Sequence, residues 1–387
     1  MRSLLTWLGR LLLSLALAAL VVGFWKRDEL MRLWTVKTLF DQGRIVQNFS
    51  HMDRGFHVVP VSRGSGPVAP LEEGPRMTLP EGAESWINDR RLTSLLVLQD
   101  GKIRYEGYYQ GTGPEDRRIS WSLAKSYLSA LLGVLIDEGA IASIDDPVVT
   151  YAPRLKGTAY DGASIRNVLN MASGVVFNED YFDPKSDINR IGRVIALGGS
   201  LDNFTASFTL RASDPGAKWS YASIDTHVIG MVIRGATGRS IPDLMSEKII
   251  APLGLEQDGI YLTDGTGTAF VLGGLNFTTR DYARFGRMIL QDGSYDGRQV
   301  VPAAWIAAAT LPSAPTAHGT MGFGYQWWVP KGAHDGEFMG IGIYGQYLYF
   351  DQPRGVMIVV TATDPEFETP GRIDSNVEMF RQIAQSL

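Results

Sequence analysis

The chain of 387 residues contains no cysteine, which excludes a thiol nucleophile, disulfides and Cys-ligated metal. The redox compartment stays open, because a chain this long can bury enough core to fold in an oxidising space without disulfides. There is no Lys/Arg-rich run and the formal net charge is -5, so the electrostatic footprint of a nucleic-acid binder is missing. The histidines His51, His57, His227, His318 and His334 fall in no H-E-x-x-H or other ligand spacing, and no metal site is expected. There is no G-x-S-x-G, hence no α/β-hydrolase elbow. A G-x-G-x-x-G match, Gly340 to Gly345, precedes a strand pattern instead of opening a helix, which removes the dinucleotide reading. No cofactor is implied.

What is present reads as a globule. Hydrophobic residues make up 45% and charged residues 20%, enough for a large core in one domain or two subdomains. The exception is the N-terminus, where "LLLSLALAALVVGFW" (11–25) is uncharged between Arg10 and "KRDE". It has the character of a secretory h-region or a signal-anchor. Fifteen helical residues span only about 22 Å, short of a bilayer core of about 30 Å. "LLTWLG" ahead of Arg10 can lengthen the run, with the arginine snorkelling. No small-residue cleavage site follows, which favours an uncleaved single-pass anchor over residues 1–25. Basic residues lie on both sides of the run, so charge alone does not orient it.

Residues 26–85, with "RGSGPVAPLEEGP", read as an extension and linker. The compact domain is expected over 86–387. "TSLLVLQ", the pair Asp100-Gly101 and "KIRYEGYY" form a hairpin signal, because Asp-Gly tolerates the positive φ of a two-residue turn. "GQYLYFD", "QPRG" and "VMIVVTA" repeat it near the C-terminus, and "DSNVEMFRQIAQSL" reads as a closing amphipathic helix. Between these ends "SYLSALLGVLIDEG", "ASIRNVLNMASG", "IDTHVIGMVIRGATG", "PDLMSEKII" and "TRDYARFGRMILQDG" have helical periodicity, with Gly near several ends.

"SWSLAKS" (120–126) raises the chemical question. Lys125 is the only charged residue between Trp121 and Ile136, and a helix apolar nearly all round is normally buried. A buried ammonium loses its proton or finds a counter-charge. Ser122 lies three residues earlier, on the same helical face and in the first turn, where free N–H groups and the positive dipole end point outward. A serine hydroxyl is too weak an acid to attack a carbonyl unaided. A desolvated amine beside it can take the proton. The bland alternative is a serine N-cap with a snorkelling lysine.

About a hundred residues later "WSYASIDTHVIGMVI" places Tyr221-Ala222-Ser223 just before another helix. "SLAK" followed by "YAS", with the phrases "ASIRNVLNMASGV", "DPGAKWSYAS", "IIAPLGL" and "TTRDYARFGRMI", resembles the serine β-lactamase-like, penicillin-recognising superfamily over residues 85–387. The resemblance is nearest to the class C β-lactamase-related esterases and the 6-aminohexanoate-oligomer hydrolases. It implies an α/β (α+β) fold, an antiparallel sheet flanked by helices with an inserted helical subdomain, and no cofactor. By the same resemblance Ser122 is acylated, Lys125 accepts its proton, Tyr221 is a second acid/base and Ser223 fills the third position of the tyrosine motif.

The third motif departs from the β-lactamase pattern. Where those enzymes carry Lys-Thr-Gly on a strand, this chain has "MGIGIYGQYLYF", without a cation. That puts β-lactam binding in doubt, since the lysine meets the substrate carboxylate. The oligomer hydrolases share the uncharged glycine-rich version, and by similarity the backbone N–H groups of Ile343 and Ser122 form the oxyanion hole. Tyr181, in "NEDYFDPKSD", is similar in place to a substrate-contacting tyrosine of those hydrolases, the alternative being a solvated surface loop. The acidic residues of that segment fit no calcium loop. Trp327 and Trp328 read as core or rim, and His227 as a hydrogen-bonded structural residue. The reading is therefore a serine hydrolase cleaving a small-molecule amide or ester, with no nucleic-acid partner. It is tied to the inner membrane by its N-terminal helix, with the catalytic domain placed outside the cytoplasm by analogy. The alternative is a penicillin-binding-like sensor with little turnover, which acylates without deacylating.

Overall fold

The computed structural model describes residues 2–387. Seven strands form one antiparallel sheet in the order Lys102–Tyr108, Leu92–Gln99, Val356–Ala362, Gln346–Asp351, Glu337–Gly342, Trp327–Val329 and Gly322–Gly324. Both expected hairpins are present, the first turning at Asp100 and Gly101 with φ 50° and 77°. Leu92–Gln99 pairs with Val356–Ala362, so the two ends of the domain close the sheet centre against each other.

The central strands are apolar along their whole length because both faces are covered. Leu95, Val97, Ile358 and Val360 face one core with Trp86, Phe380 and Ile383, the last two from the closing helix Arg372–Gln385. Leu96, Leu98, Met357 and Val359 alternate onto the other face. There they meet the helices Leu123–Asp137 and Thr279–Leu290. Successive side chains of a strand point to opposite faces, and each set is buried by a different layer.

Helices Ile165–Leu169, Asp187–Ala196, Leu201–Ala206 and Ser223–Thr237 make up much of the inserted region. "ASIRNVLNMASG" is helical only over Ile165–Leu169, with Met171 at φ 51° soon after it. Helix Asp187–Ala196, capped by Ser186, was not among the segments read as helical. A second antiparallel sheet has the order Val58–Val61, Gly259–Leu262, Leu275–Phe277 and Arg118–Ile119.

That second sheet changes the picture of residues 26–85, read above as extension and linker. Val58–Val61 pairs with Gly259–Leu262, and Leu39, Ile45, Phe49 and Met52 are buried in the main core. The Gly/Pro-rich stretch is tied down as well, with Ala69 N–H donating to Gly254 O at 2.8 Å. A segment without long periodicity is still held wherever other parts of the chain bury its apolar residues. Ahead of it, helix Arg2–Trp25 includes a stretch, Leu5–Trp25, long and apolar enough to cross a membrane, none of which is buried. Its 21 residues span about 32 Å at 1.5 Å each.

Candidate active site

The segment before Leu123–Asp137 holds Ser122 in an unusual way. Ser120 N–H donates to Leu275 O at 2.8 Å and its hydroxyl to Trp121 O at 2.9 Å. Between these anchors and the helix, Trp121 sits at φ 44°, a left-handed conformation costing an L-residue about 1–3 kcal/mol and kept only where surroundings enforce it. Ser122 occupies the N-cap position but its side chain caps nothing. Its hydroxyl is instead 2.7 Å from Lys125 Nζ, which disposes of the N-cap alternative.

Lys125 does not snorkel: it is 2% exposed. Its only other hydrogen bond among the described residues is to Leu272 O, at 2.8 Å. Burial lowers its pKa from 10.5 to about 7, opposed by the nearby Glu179 carboxylate. Desolvation wins because, among the described residues, no counter-ion touches the amine. The Lys125 Nζ lies 5.4 Å from the centre of the Tyr221 ring. Burial pushes the Tyr221 phenol well up, against smaller opposing hydrogen bonds from Ser122 and Ser223. Trp328 stacks on that ring at 5.5 Å. Trp328 thus backs the Tyr221 ring, whereas Trp327 packs in the core against Phe338 and Phe350.

The strand Glu337–Gly342 comes close to the segment that holds Ser122 because it lacks side chains there. A Cβ on Gly342 would stand 2.6 Å from Ser120 O, and one on Gly340 would stand 3.0 Å from Leu123 Cδ2. Only glycine permits that approach. Ile343 follows directly and lines the same cavity as Ser122, Tyr181 and Ser223.

Glu179 is the group that sequence reading passed over. It accepts the Ser223 hydroxyl at 2.5 Å, the Ser223 N–H at 2.8 Å and the Tyr181 hydroxyl at 2.6 Å. A carboxylate is thereby placed at the N-terminus of helix Ser223–Thr237, where the dipole favours it. Burial still raises its pKa, opposed first by Lys125. Its only signal in the sequence is its place two residues before Tyr181, shared with Asp180 and Asp183 as neighbours of equal standing. His227 is remote from this chemistry, its Nε2 held 2.8 Å from Asp202 Oδ1. Among the described residues no group of His, Asp and Glu is arranged to hold a metal ion.

With this geometry in place, the comparisons with known proteins are specific. The family model described as Beta-lactamase matches residues 87–378. The 6-aminohexanoate-dimer hydrolase of Paenarthrobacter ureafaciens is 33% identical over 290 residues, covering 71% of this chain and 74% of that one. A solved Bacillus anthracis structure provisionally assigned to the same hydrolases is 24% identical, with a TM-score of 0.79 over 90% of this chain and 95% of the other. The hydrolase EstCE1, described as having promiscuous acyltransferase activity, superposes with a TM-score of 0.60 at 17% identity, over 79% of this chain and 96% of its own. The chain is therefore a serine hydrolase and belongs to the beta-lactamase family.

Proposed function

We propose that the protein hydrolyses a small-molecule amide or ester through an acyl-enzyme on Ser122. The observation that carries this reading is Lys125: a buried amine 2.7 Å from Ser122 Oγ, with a pKa lowered to about 7. Above that pH its lone pair is free to accept the serine proton. Ser122 Oγ then attacks the carbonyl carbon. The oxyanion that forms receives the backbone N–H groups of Ser122 and Ile343, a role supported by the glycine-lined approach of the strand before Ile343. The raised pKa of Tyr221 keeps its phenol protonated, so Tyr221 gives its proton to the leaving amine or alkoxide. The Lys125 ammonium replaces that proton. Water attacking the acyl-enzyme reverses these transfers and releases the acid. Glu179 positions Ser223 and Tyr181 at the substrate. The N-terminal helix anchors the chain in a membrane.

The test is incubation with a p-nitrophenyl ester, followed by intact mass before and after turnover. Steady release with a transient acyl adduct that is missing in Ser122→Ala supports hydrolysis. A stable adduct without turnover favours a sensor.

A further inference from the structure

Ser122 opens into a cavity of about 310 Å³, at the small end for a ligand site. Ser122, Ser223 and Tyr181 gather at the reacting end, and Asn189 and Arg193 line the cavity as well. Beyond them one wall is the stripe Ile188, Ile191 and Ile195 on helix Asp187–Ala196. Spaced three and four residues apart, these run about 10 Å along one helical face. The facing wall is Val36, Leu39 and Phe40, from the segment ahead of the family match at residue 87. That wall is fixed in place: Arg32 Nε donates to Ala196 O at 2.9 Å, and Asn48 Nδ2 donates to Thr38 O and Leu39 O at 3.0 Å each.

We infer that this cavity is a trough for an unbranched apolar acyl chain, and that residues 36–56 set the specificity by forming its outer wall. The inference rests on the acyl-enzyme reading of Ser122 and names its substrate class: esters or amides of medium-chain acids. A cavity with two apolar walls suits a chain of methylenes. Asn189 Nδ2 and Arg193 Nη1 already donate to the carbonyls of Tyr181 and Pro184, so a peptide or oligoamide laid there would leave most of its buried amide groups without partners, which costs more than a methylene gains. At about 30 Å³ per water-sized group, the space holds about ten chain atoms. Gly192 sits between the walls on the same helix and lines the cavity. A Cβ there would already be in contact with Val36 Cγ1, at 3.5 Å, so a larger side chain at 192 would take up space between the two walls.

The experiment measures kcat/KM of the full-length protein, in detergent, on p-nitrophenyl esters from acetate to dodecanoate. Each buried methylene is expected to raise kcat/KM about fourfold, mainly through KM, until the curve flattens near eight to ten carbons. Gly192→Leu puts a better helix former in the helix interior and is expected to lower the decanoate-to-acetate ratio more than tenfold, the exclusion of about two methylenes. A flat or falling series in the wild type, with acetate turned over and Ser122 labelled by a fluorophosphonate, overturns the trough and leaves the acyl-enzyme reading intact. Failure to turn over any ester or to label Ser122 overturns both. The wild-type series decides even where the variant does not fold.

Discussion

The ring of Phe40 lies flat on that of Tyr344, 4.8 Å between centroids and 5° between planes. Tyr344 is two residues past the end of the strand Glu337–Gly342, and Phe40 also packs at 5.7 Å from Trp121. The segment that follows the membrane-type helix is thereby clamped onto both backbone stretches that flank Ser122. Phe40→Ala is expected to remove about 1–3 kcal/mol, part of a buried aromatic plus the ring-pair contribution. Limited proteolysis should then cut within residues 26–56 faster than in the wild type, while Phe40→Tyr retains protection.

The lowered pKa of Lys125 sets the pH dependence. With neutral Lys125 as the base, kcat/KM rises through about pH 7 and then levels. The raised pKa of Tyr221 means that its phenol adds no falling limb below pH 9. Glu179 favours the ammonium, so Glu179→Gln should move the rising limb to lower pH. A move to higher pH would show that the carboxylate acts in some other way.

Stability should follow the same group. Burial lowers the folded Lys125 pKa to about 7 from its ordinary 10.5, so between those values the unfolded chain holds more protons. Stability therefore rises with pH across that window. Lys125→Met should remove this slope and raise the thermal midpoint at pH 6 more than at pH 10, since it deletes a buried charge without a counter-ion. An equal shift at both pH values counts against a depressed lysine.

Removing the nucleophile or its proton path has a distinct kinetic form. Ser122→Ala should abolish fluorophosphonate labelling and lower turnover by several orders of magnitude. Lys125→Ala and Tyr221→Phe should each lose about 10²–10⁴-fold. The double variant should lose little more than the worse single one, because both serve one proton path. Small additive losses would assign the two residues to structure.

The strand beside the site ends in Gly340, Ile341 and Gly342 and is followed by Ile343, with no lysine. Among the described residues lining the cavity Arg193 is the one cation, and it donates to Pro184 O at 2.7 Å. A substrate carboxylate next to Ile343 then lacks a charge-assisted hydrogen bond of about 1.5–3 kcal/mol, roughly 10- to 150-fold. A p-nitrophenyl ester should be turned over with a higher kcat/KM than a chromogenic cephalosporin. The reverse order would overturn this account of the third motif.

What the sequence determined by itself is the chemistry written between near neighbours. Ser122 and Lys125 are three residues apart on one helix, so helical geometry alone brings their side chains to one face, and burial of the lysine follows from the apolar residues around it. The Asp100-Gly101 turn and the closing helix are local in the same sense. Only the tertiary structure selected Glu179 from three acidic residues in one loop, because its partner Ser223 lies 44 positions away. The same holds for residues 26–85, whose Gly- and Pro-rich text reads as linker while Val58–Val61 takes its hydrogen bonds from Gly259–Leu262. Hydrogen bonds and buried contacts between distant positions leave no periodicity in either segment, so only the folded chain reveals which side chains meet.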